Sequence, residues 1–88
     1  LALTIYLIDE PYAEVGLAYA ANDPNSRAVL LQDAVYLAQK GRPQGRVYAI
    51  GDDVARRGLT GHIDPAVQTI DYGKLVEMME TERVVCFL

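Results

Sequence analysis

One thiol, one imidazole and a row of carboxylates are the side chains in this chain that could do chemistry. A cysteine acts as a nucleophile or carrier only as thiolate, which needs positive surroundings and access. Cys86 lies in Val84-Val85-Cys86-Phe87-Leu88, apolar on both faces of a strand, with only Arg83 as a nearby cation in sequence. Burial there would raise its pKa and shield it, so Cys86 is expected to be a small core residue. His62 stands in a Gly-containing loop before Asp64-Pro65 and is expected at the surface, with an interface or site-lining role as the alternative. One His and one Cys would leave carboxylates to supply most ligands of a zinc ion, which structural zinc rarely accepts. Ser26 is the only serine and has no strand-turn-helix elbow around it, so a serine triad has no basis. No metal and no cofactor are expected.

Asp9, Asp33, Asp52 and Asp71 each stand where an expected strand gives way to a helix. All four should therefore gather along one edge of a sheet. They read first as helix caps, accepting backbone N–H bonds at the positive end of the helix dipole. The functional alternative is an acidic rim for a cation, a basic partner surface or a substrate amine. The same acids disfavour a phosphate site, which needs uncovered amides, and no G-x-G-x-x-G or G-x-x-x-x-G-K is present. Asp9-Glu10 with Asp52-Asp53 invites comparison with phosphoacceptor receiver domains, but there is no position for their lysine after the fifth strand or for their last helix.

The elements that must position these groups follow from hydrophobic pattern. Residues 2–8 form a nearly continuous apolar run, as in a strand covered on both faces. Pro11 suits a first helical turn, and Tyr12, Val15, Gly16, Tyr19 and Ala20 recur at helical spacing to about Asn22. Asn22 to Ser26 is a turn. A strand is expected over 28–32 and a short helix over 33–40, closed by Gly41. Arg42 to Gly45 reads as a loop. A third strand covers 47–50, its helix 52–57, and Gly58 is placed like a left-handed C-terminal cap. Residues 67–70 and 84–88 complete the strands, with a helix over 72–80 between them. The alternation predicts one domain over residues 1–88, of three-layer α/β/α class, with a mainly parallel sheet of four or five strands. Strand order does not follow from the pattern.

Half of the 88 residues are hydrophobic, generous for this length, which points to burial against another subunit. The net charge is −4, and Lys40, Arg42, Arg46, Arg56, Arg57 and Arg83 form no stripe interleaved with aromatics, so direct nucleic-acid binding is not expected. A single cysteine fits a reducing compartment. No basic leader precedes Leu1, and no apolar stretch approaches the roughly 20 residues that span a bilayer. The expected location is the cytoplasm, with no membrane partner.

Three blocks, Leu30-Leu31-Gln32-Asp33-Ala34-Val35-Tyr36, Arg46-Val47-Tyr48-Ala49-Ile50-Gly51-Asp52-Asp53-Val54-Ala55-Arg56-Arg57-Gly58-Leu59-Thr60-Gly61, and Ile70-Asp71-Tyr72, occur in the order and spacing of the TusB/DsrH family. The chain resembles that family over roughly residues 28–77. The resemblance implies a DsrEFH-like fold and an assembly with homologous DsrE/TusD-like and DsrF/TusC-like subunits or with copies of itself. It also implies a role in sulfur relay, for transfer RNA wobble-uridine 2-thiolation or for dissimilatory sulfur oxidation. In the DsrE/TusD-like carriers the sulfur-bearing cysteine lies in the turn after a middle strand, which corresponds here to Ile50-Gly51-Asp52. Some DsrH-type subunits carry one in the first helix, near Ala18 or Tyr19. Neither position holds a thiol in this chain. The implied reading is a non-catalytic subunit, with a persulfide carrier using Cys86, or a homo-oligomeric domain without relay activity, as alternatives. Tyr12, Tyr19, Tyr36, His62 and Phe87 are the expected interface positions, since aromatics are favoured in interface cores.

Overall fold

The computed structural model describes residues 3–41 and 46–88; the loop expected over 42–45 lies outside the described residues. Five strands, β1 (Thr4–Ile8), β2 (Ser26–Leu30), β3 (Val47–Ile50), β4 (Gln68–Ile70) and β5 (Arg83–Phe87), form one sheet in the order β4-β3-β2-β1-β5. Every pairing is parallel. The helices are α1 (Ala13–Ala21), α2 (Gly51–Arg56) and α3 (Tyr72–Thr81), and a 3₁₀ segment covers Gln32–Ala38. The domain is therefore the expected α/β/α sandwich around a parallel sheet.

Alternation along β1 divides the core in two. Tyr6 and Ile8 join Ala28, Leu30, Val47 and Ala49 under Ala13 of α1, Val35 of the 3₁₀ segment and Val54 of α2. Ile5 and Leu7 face the other way, with Val29, Ile50 and Ile70, under Leu75 and Met78 of α3. β1 is buried along its whole length, as a strand with neighbours on both sides and helices on both faces must be. β5 is not, because it is an edge strand and its residues are exposed or half-buried.

Local rules account for most of the boundaries. Gly58 has φ +66°, its N–H donates to Ala55 O at 3.1 Å, and Leu59 N–H donates to Val54 O at 3.0 Å. This is the Schellman stop that the position of Gly58 implied. Asp71 caps α3, accepting from Lys74 N–H at 2.7 Å. Most bounds shift by a residue or so from expectation, and three differences have an identifiable local cause. β2 starts at Ser26, whose hydroxyl donates to Ala20 O and Asp23 O and so ties the turn into the strand. Gln32 takes a left-handed φ of +47°, which ends β2 early and turns the following residues into 3₁₀ rather than α-helix. α1 begins at Ala13 rather than Pro11, after a turn in which Tyr12 N–H donates to Asp9 O.

Candidate functional site

At the carboxyl ends of the strands, the segments following β2, β3 and β4 converge on one carboxylate. Asp53, in the first turn of α2, is only 2% exposed. A charged group so deeply buried has to be fully partnered. Its Oδ2 accepts from Gln32 N–H and from the Tyr72 hydroxyl, each at 2.9 Å. Arg57, one helical turn on, brings Nη1 to 3.8 Å from Oδ1 and donates to the Asp53 carbonyl at 3.2 Å. The same guanidinium binds Asp33 Oδ1 through Nε and Nη2, both at 3.0 Å.

Each contact has a local cause. α2 begins directly after β3, which sets Asp53 in its first turn over the end of the sheet, and the Gly58 stop leaves Arg57 at the helix end, turned back over Asp53 and Asp33. The Asp53 carboxylate offsets the cost of the left-handed Gln32 backbone by accepting its N–H. Desolvation holds the Tyr72 phenol pKa above its usual 10, and hydrogen bonding to Asp53 adds to the shift. Tyr72 thus remains a donor throughout the physiological range.

Gln32, Asp33, Tyr36, Asp53, Arg56, Arg57 and Tyr72 line an open polar pocket on this frame. Asp53 and Arg57 are consumed by the frame; Arg56, Tyr36, Gln32, the exposed edge of Asp33 and part of the Tyr72 ring are what the pocket presents to solvent. Such a site can seat a polar group or a partner's side chains. Its lining holds no thiol, hydroxyl elbow or imidazole to attack one. In open α/β sheets the point where strand order reverses is the usual ligand crevice. Here that point lies between β1 and β5, and it is bridged by Asp9 N–H donating to Phe87 O. The pocket lies instead over β2, β3 and β4.

The four acids of the expected rim do follow successive strands, but they do different work. Only Asp71 caps its own helix. Asp9 accepts from Glu10 N–H at 2.8 Å and reaches across to Ala34 N–H at 3.4 Å, so it tethers the 3₁₀ segment rather than α1. Asp33 is the partner of Arg57, and α2 has no side-chain cap from Asp52 or any other residue. Among the described residues no group of three or more His, Cys, Asp or Glu side chains could hold a metal ion.

Cys86 corrects the sequence expectation outright: it is exposed, not a core residue. The apolar run around it suggested cover on both faces. β5, however, lies at the sheet edge, and its α3-side face, with Val84 36% and Leu88 56% exposed, is left uncovered. Cys86 is separated from the pocket by β1. Of the five interface candidates, three come together beside that edge: the Tyr19 ring stacks on Phe87 at 5.4 Å, and Tyr12 lies on the same flank of α1. Tyr36 belongs to the pocket. His62 stands apart in an exposed loop, its carbonyl accepting from Lys40 N–H at 3.1 Å.

Gln32, Asp53, Arg57 and Tyr72 were not singled out as one site by their chemistry. The signal was nevertheless in the sequence, because each belongs to one of the three blocks that carry the family resemblance. A parallel α/β/α domain whose block residues meet around one buried carboxylate is the class that fold and site define. A model of the family described as DsrH like protein matches residues 11–85, most of the chain. The chain belongs to the DsrH-like family. No match is found among curated proteins.

Proposed function

We propose that this chain is a non-catalytic, TusB/DsrH-like subunit of a sulfurtransferase assembly, acting in transfer RNA wobble-uridine 2-thiolation or in dissimilatory sulfur oxidation. Homologous subunits of the DsrE/TusD and DsrF/TusC types are its partners, and the carrier thiol belongs to one of them. The observation that carries this reading is the pocket itself. The residues of all three family blocks converge on a site with no thiol, so the frame they build serves to position rather than to bear sulfur.

One observation favours a second reading, in which Cys86 itself carries persulfide: the thiol is exposed and accessible. Access is only half of what a carrier needs. Arg83 lies three positions away, so alternation sends its side chain to the opposite face of β5, and the neighbours of Cys86 on its own face are Val84, Leu88 and Leu7.

The two readings separate in a reconstituted assembly with a DsrE/TusD-type carrier and a persulfide donor. Transfer should persist when Cys86→Ser replaces the native chain, with no added sulfur on Cys86 by mass spectrometry. Stoichiometric persulfide on Cys86, together with loss of transfer in Cys86→Ser, would overturn the non-catalytic reading. Supplying the assembly with its acceptor, thiolation-competent transfer RNA, distinguishes the two pathways.

A further inference from the structure

The edge strand β5 lacks the protection that natural sheet edges carry. From Val84 to Leu88 it has no proline, charge or bulge, and such an edge is a ready template for another strand. Its pairing with β1 fixes which groups remain free. Arg83 N–H donates to Leu3 O and Phe87 O accepts from Asp9 N–H, so residues 83, 85 and 87 bond inward. Val84, Cys86 and Leu88 therefore point their backbone N–H and C=O groups outward.

The geometry points to a two-fold dimer in which β5 pairs antiparallel with β5 of a second copy, centred on Cys86. This inference goes beyond the sulfur-relay reading and does not depend on it. In this register Val84 lies opposite Leu88 of the second copy, and Cys86 lies opposite Cys86. All three outward-bonding residues then find partners, which a shift of the centre to Val85 would not achieve. Side chains match as well. Val84 and Leu88, exposed on the α3 side, become cross-strand neighbours, and on the α1 side Val85 meets Phe87 of the second copy.

Two further features favour a second copy of this chain as the occupant. Antiparallel pairing carries Arg83, at the start of β5, to the far end of the other copy's β5. Glu10, exposed just beyond the end of β1, lies beside that end, while the Asp9 carboxylate turns away to Ala34 N–H, so Arg83 meets one exposed carboxylate at each end of the interface. A two-fold operation also sets the same apolar flank of α1 against itself. That flank carries Tyr12, Val15 and Tyr19, at 50%, 51% and 59% exposure, and Tyr19 already lies over β5 on Phe87. The opposite edge, β4, offers three residues, with Gln68 and Thr69 exposed, and no comparable apolar flank is described there.

Sedimentation of the purified full chain across the micromolar range tests the dimer, and a short bismaleimide tests its centre. A dimer is expected, with a cross-link joining Cys86 to Cys86. Cys86→Lys sets two like charges against each other at the two-fold axis and should weaken self-association at least tenfold, whereas Gln68→Lys on the β4 edge should leave it unchanged. Val84→Lys repeats the test at a second β5 position, and circular dichroism confirms that each variant folds. A chain that remains monomeric throughout, including one whose β5 edge is taken by a homologous subunit instead, would overturn the inference. So would a dimer that survives both β5 variants.

Discussion

The polar rim over β2, β3 and β4 and the apolar border along β5 are organised in opposite ways. In the rim, one buried carboxylate satisfies donors from three separate segments, and little bonding capacity is left over. At the border, aromatic and aliphatic side chains stand half-exposed beside free backbone groups. Hydrogen bonds in a buried network are directional and fail together when one member is lost. Apolar contacts at an edge are separable and gain from any cover. The rim is thus complete within one chain, whereas the border leaves apolar surface and backbone groups that association would cover.

Removing the rim's central carboxylate should have the largest effect. Asp53→Ala would orphan the Gln32 N–H, the Tyr72 hydroxyl and part of Arg57, and should cost about 2–4 kcal/mol of unfolding free energy in urea. A loss under about 1 kcal/mol would show that the network contributes far less than its geometry implies.

Next comes the seat of α1. A Cβ at Gly16 would stand 2.9 Å from Ile8 Cγ1 and 3.2 Å from Phe87 Cβ, so Gly16→Leu should push α1 away from β1 and β5. The expected cost is about 1–3 kcal/mol, read by the same denaturation. It should be accompanied by weaker self-association, because the Tyr12–Tyr19 flank moves with the helix.

Tyr72→Phe removes a single donor from Asp53 and should cost about 1 kcal/mol. Absorbance titration sharpens the point. Burial and Asp53 raise the Tyr72 pKa, and burial with Asp23 raises that of Tyr6, so both phenols should ionise above pH 10. A raised acid pKa means that the folded state favours the protonated phenol. Its contribution is present in full below pH 10 and is lost as pH rises through the folded-state values. Late ionisation of the Tyr72 and Tyr6 phenols would agree with this assignment, and its loss for Tyr72 in the Tyr72→Phe variant locates it.

Cys86→Ser should change the stability of the isolated domain least, by no more than about 0.5 kcal/mol, because the thiol is exposed. A larger loss would return Cys86 to the core and contradict the edge position of β5.

Much of this architecture was legible in the chain, for reasons that can be named. Strand-helix alternation, the stop at Gly58 and the cap at Asp71 depend on local backbone chemistry, which operates within a few residues. The family blocks marked the site without revealing its geometry: Gln32, Asp53 and Tyr72 lie 19 or more positions apart, and only the packing of three crossovers brings them to one oxygen. Strand order lay outside local patterning altogether, and with it the fate of Cys86. An apolar run reads alike in a central strand and in an edge strand, because hydrophobic burial carries no label for what provides the cover. Hydrophobic pattern and spacing determined the class of fold and the elements, and the three sequence blocks marked the family. The tertiary structure alone decided that Asp53 is the buried hub and that Cys86 faces solvent, since both depend on which segments, distant in the chain, become neighbours in space.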